Sequence, residues 1–65
     1  MLTTPHYLKS ISDDRTEIVL VKYQDAPLYE VRVYSADVPH DHRTLIATDS
    51  ITEAEAIYGE RAANL

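Results

Sequence analysis

His40-Asp41-His42 is the only constellation in this 65-residue chain with metal-ligand character, with Asp37 and His6 alike in type. Side chains two apart on an extended segment point the same way, so the two imidazoles could share one ion. A closed zinc site wants four ligands, with cysteine or well-spaced histidine as the usual suppliers. The chain has no cysteine, and a one-residue spacing beside Pro39 suits a solvated loop equally well. His40 and His42 therefore stand as weak metal candidates, and no stoichiometric metal and no cofactor are expected.

Catalytic chemistry finds less support. There is no cysteine nucleophile, and a single glycine rules out a glycine-rich phosphate cradle or a G-x-S-x-G elbow. Serine, histidine and aspartate are present, but geometry defines a triad, not composition. The small tautomerases do run an enzyme at this length, on an amino-terminal proline exposed by loss of the initiator methionine. Here Leu2 stands at that position and the first proline is Pro5. A non-enzyme is expected.

Five tyrosines with no phenylalanine or tryptophan mean that every aromatic ring carries a hydroxyl in need of a partner or water. Eleven acidic against six basic residues give a net charge of −5, the wrong sign for a phosphate backbone, so direct nucleic-acid binding is not expected. The alternative that acidity does raise is an inhibitor that occupies a nucleic-acid-binding protein in place of DNA, using Asp13, Asp14, Glu17, Glu53, Glu55 and Glu60. Lys22, Arg32 and Arg43 interrupt any continuous array of those carboxylates. No apolar run approaches the ~18 residues of a membrane span and the first residues do not read as a basic n-region before an apolar h-region, so a cytoplasmic setting is expected.

These residues must be held by a small core, which at this size rarely supplies more than about 3–5 kcal/mol. Residues 16–24, rich in β-branched and aromatic side chains, read as the strongest strand. Asp25-Ala26-Pro27 turns the chain into a second strand over 28–35, and a loop with Pro39 leads to a third over 43–48. The first dozen residues read either as disordered or as a fourth, edge strand over 7–11, with Pro5 suited to an edge. Thr52 and Glu55 have capping-box spacing, with Ile51 placed to staple onto Ala56, so a helix is predicted over 53–63. Ala54, Ile57, Tyr58, Ala62 and Leu65 share its apolar face, and Gly59 lies off that stripe.

Strand pairing follows from matching side chains. Setting Tyr23 opposite Tyr29 places Val21 against Val31 and Val19 against Val33 on the helix side, with Lys22 opposite Glu30 and Ile18 opposite Tyr34. A one-residue slip would set Val21 against Glu30. In the matched register Ile18, Leu20 and Tyr34 occupy the face away from the helix, with Ile46 available to join them. Bare apolar residues there would forgo about 1.5–3 kcal/mol each, so that face is expected to be covered. A homodimer mate is the expected cover, and the amino-terminal segment, through Leu2, Tyr7, Leu8 or Ile11, is the competing one.

The fold class expected is thus α+β: one domain, a three-stranded antiparallel meander, four-stranded if the edge strand forms, with one C-terminal helix on one face. The function expected is a small non-enzymatic protein–protein interaction or regulatory module of the kind bacteria and phages encode. Its partner is expected to be protein, self included, and Ile18, Leu20 and Tyr34 are its interface candidates. Besides the DNA-mimic inhibitor, a metal-binding accessory protein using the His40–His42 loop is the remaining reading.

Overall fold

A computed structural model describes residues 5–65 and shows a four-stranded antiparallel sheet in the order β1-β2-β3-β4, with one helix across it. The strands are β1 (His6–Ser12), β2 (Thr16–Lys22), β3 (Tyr29–Ser35) and β4 (Val38–Thr48), and the helix is α1 (Ile51–Ala62). The α+β class holds, and the optional edge strand is present as β1, with Pro5 immediately before it. Leu2, one of the residues expected to cover the sheet, lies outside the described residues.

The pairing of β2 with β3 differs from the expected register by one residue. Leu20 lies opposite Val31, Ile18 opposite Val33, Val19 opposite Arg32 and Val21 opposite Glu30. Ile18 and Leu20 therefore face the helix, at 3% and 0% exposure, while Val19 and Val21 take the opposite face. The Lys22–Glu30 and Tyr23–Tyr29 pairs of the matched register do not form. The physical reason is that the central run Ile18-Val19-Leu20-Val21 is apolar on both sides, so either face of β2 can go under the helix. Ile18, Leu20, Val31 and Ala54 form the helix-side core, with Tyr29, Val33, Leu45, Ile46, Ile51, Ile57 and Tyr58 packed around it.

The helix starts two residues before the predicted position. Ser50 is the N-cap and its hydroxyl accepts the Glu53 N–H at 3.2 Å, so Ser50 and Glu53, not Thr52 and Glu55, are the pair with capping-box spacing. This start wins because it makes Ile51 helical, three residues before Ala54 and seven before Tyr58, on the buried stripe. Leu65, predicted on that stripe, lies past the helix end and is 42% exposed.

Gly59 has no close neighbour to explain it: a Cβ built there meets nothing within 4 Å. Gly59→Ala is accordingly expected to stabilise the domain by about 0.5–1 kcal/mol, read as a higher urea midpoint at unchanged slope. No gain would mean that the helix is frayed at this point in solution.

β4 begins earlier than predicted, at Val38. Between the Ser35–Val38 and Tyr34–His42 pairs, Pro39, His40 and Asp41 have no partner on β3, so the predicted loop survives as a three-residue bulge inside the strand.

The β1–β2 turn is fixed by one carboxylate. Asp13 Oδ1 accepts the backbone N–H groups of Arg15 and Thr16, each at 2.8 Å, and these two bonds hold its pKa below the ordinary aspartate value. A depressed folded-state pKa contributes stability above the unfolded pKa of about 3.9 and loses it as the pH falls through the folded value. Asp13→Asn should therefore lower the melting temperature near neutrality and flatten the acid limb of the stability profile. Parallel acid limbs for the two proteins would remove the turn from the account.

Candidate interaction surface

The sheet face away from the helix has a floor of Val19 and Val21, both 0% exposed although among the described residues no second layer of secondary structure lies over them. Their cover is a layer of amphipathic side chains from three sources: β1, β3 and the β2–β3 loop. Tyr7 stands opposite Val21, Arg32 opposite Val19, and Tyr34 opposite Glu17, so strand alternation aims all three onto this face. Tyr23, just past the end of β2, joins them from the loop. The rings and the arginine stem bury apolar surface while their polar ends stay at the rim.

Those polar ends form one connected network. Arg32 donates from Nε to Glu30 Oε1 at 2.7 Å, from one terminal nitrogen to the Tyr34 hydroxyl at 3.3 Å, and from the other to the Tyr23 hydroxyl at 2.7 Å. Tyr23 in turn donates to Glu30 Oε1 at 3.1 Å, and the hydroxyls of Tyr7 and Tyr34 share a hydrogen bond at 3.3 Å. Arg32 and Glu30 form an ion pair whose side chains are 11% and 15% exposed. Burial works against the Arg32 charge. The bonds to Glu30 and Tyr34, with the Glu30 charge, outweigh it and raise the guanidinium pKa above its ordinary value. The Tyr7 phenol is likewise raised, by its bond to Tyr34 and by partial burial. No buried side-chain nitrogen or oxygen among the described residues lacks a partner.

His42 reaches the rim of this face, its ring 5.4 Å from that of Tyr34 and tilted by 48°. His40 is exposed in the bulge. Among the described residues no three histidine, cysteine or acidic side chains come together in a way that could hold a metal ion. The carboxylates of the inhibitor reading divide between two sides. Asp13, Asp14 and Glu17 lie at the β1–β2 hairpin, while Glu53, Glu55 and Glu60 are on the helix, with Glu55 bound to Lys9 at 2.9 Å. The concavities are shallow grooves, and one of about 350 Å³ lies beside the hairpin between Ser12 and Glu17.

Of the three interface candidates, Tyr34 alone lies on the open face. Ile18 and Leu20 are core residues beneath the helix, because the register is one residue from the matched one. Arg32, Glu30, Tyr23 and Tyr7 join Tyr34 as a group that is not among the residues expected from the sequence. The signal was the alternation Glu30, Arg32, Tyr34, three polar-ended side chains on one face of a strand whose other face is Val31 and Val33. No protein family, curated protein or solved structure matches this chain. Among the described residues no helix is long and apolar enough to cross a membrane.

Proposed function

We propose that this chain is a small non-enzymatic protein–protein interaction module that recognises a protein partner through the open sheet face, with the cytoplasm as its setting. The observation that supports it is the Tyr7–Tyr34–Arg32–Tyr23 network over Val19 and Val21. Tyrosine and arginine are the side chains that dominate binding hot spots. Here hydrogen bonds already fix their rotamers, so little side-chain freedom remains to be lost on binding. Tyr34 sits where β3 meets the hairpin groove and the His42 ring, and it is the residue on which binding should depend most.

The test compares affinity capture by the native chain with capture by Tyr34→Ala and by the helix-face control Glu60→Ala, each first shown to be folded. Partners retained by the control and lost by Tyr34→Ala support the reading. Identical sets from all three proteins would exclude this face as the binding surface.

A further inference from the structure

The sequence-based reason for a dimer, an uncovered apolar face, does not hold, because Val19 and Val21 are already dry within one chain. A different feature points to self-association. All seven residues of β1 are exposed, whereas Ile18 to Val21 of the neighbouring β2 are almost wholly buried. The helix packs mainly on β2, β3 and β4, and among the described residues its polar ties to β1 run through Lys9, to Glu55 and over the Tyr58 ring. Apart from its ladder with β2, β1 is held among the described residues by three surface links, the Lys9–Glu55 pair, the Lys9 ammonium over the Tyr58 ring and the Tyr7–Tyr34 bond, and a bulge between Tyr7 and Lys9 interrupts the ladder. Tyr7, Leu8 and Ile11, three of the large apolar side chains left most exposed, are all on it. β4, the other edge, is anchored through Leu45 and Ile46 under the helix. Local opening follows low burial, so β1 is the element that opens first.

We infer that β1 leaves the sheet as a unit and that the edge it vacates on β2 accepts β1 of a second copy, giving a strand-exchanged dimer. A vacated β2 presents an unpaired row of backbone N–H and C=O groups beside Val19 and Val21, which lose the Tyr7 part of their cover. The strand that fits that edge with the right register, the right bulge, a tyrosine for Tyr34 and a lysine for Glu55 is β1 itself. Exchange recovers every one of these contacts between chains, and only the Asp13-Asp14-Arg15 link must change shape. In the exchanged form the two links bring Asp13 and Asp14 of both chains near one another, so added salt shifts the balance towards the dimer. Asp13→Ala removes the two side-chain bonds of the closed turn and shifts it the same way.

A cross-strand disulfide reads the outcome. The Asp13 N–H donates to the Thr16 carbonyl, which makes the next pair, Ser12 opposite Glu17, a non-hydrogen-bonded one with Cα atoms about 4.5 Å apart, inside disulfide range. In Ser12→Cys/Glu17→Cys the bond closes within a chain when β1 is home and between chains when it is exchanged. The protein is held at a series of concentrations up to millimolar, oxidised, and run on a non-reducing gel beside both single variants. A covalent dimer that grows with concentration and salt, exceeds that of the single variants and increases with Asp13→Ala is expected. Hydrogen exchange on the native chain should show β1 amides about tenfold or more faster than those of β2 and β3. Monomer alone at every concentration overturns the inference, as does dimer formed equally by the single variants. β1 protection equal to that of β2 removes its basis.

Discussion

Replacing Arg32 with alanine is expected to cost about 3–5 kcal/mol, close to all the stability a chain of this size has. The loss has two parts. Glu30, 15% exposed, would lose its ion-pair partner and be left with the Tyr23 hydroxyl bond. The aliphatic stem that lies over Val19 would go as well, and with it the anchor of both Tyr23 and Tyr34. Removing one member of a desolvated pair is far more damaging than replacing both by apolar groups of similar size. Glu30→Leu with Arg32→Met should therefore regain most of what Arg32→Ala loses. Urea unfolding of the native chain, Arg32→Ala and the Glu30→Leu/Arg32→Met pair checks this. A single variant within 1 kcal/mol of the native chain would mean that the network is loose in solution.

Leu20→Ala is the second large effect, an expected loss of about 2–5 kcal/mol. Leu20 is 0% exposed at the centre of β2, packed with Ile18, Val31 and Ala54. The helix rests there on a small residue, Ala54, so the backbone is already close to the sheet and has little room to collapse further into a cavity. Leu20→Asp should fail to fold at all. Circular dichroism melts decide the matter: a cooperative transition near the native temperature for Leu20→Asp would place this residue on a surface and return the sheet to the matched register.

Strand positions and class were legible because the period-2 pattern of Tyr29, Val31 and Val33 is unambiguous and Asp25-Ala26-Pro27 marks a turn. The register was not. Four consecutive apolar residues, Ile18 to Val21, offer the helix two equivalent faces, and pairing valine with valine favoured the wrong one. The deciding term was how Arg32 is housed. Opposite Val19 its head meets Glu30 and Tyr34, each two residues away on β3, and also the Tyr23 hydroxyl from beyond β2, a contact that the alternation along β3 does not display. The helix start posed a similar choice, since Ser50/Glu53 and Thr52/Glu55 have identical spacing and only the burial of Ile51 separates them. The His40–His42 motif is divided, His40 lying in the bulge and His42 opposite Tyr34, and among the described residues no metal-holding cluster forms around it.

A cover one side chain thick over Val19 and Val21 also inverts the usual map of mutational tolerance. Tyrosine, arginine and glutamate on the outside of a domain are ordinarily the places where drift is free. Here exchanging one of them uncovers a valine or strands a charge, so the outermost residues of this face carry the constraint normally reserved for an interior. The side chains of the layer can change only in concert. A substitution history for this chain should show Glu30, Arg32 and the three phenols moving as a group, while the solvent side of the helix varies around them at will.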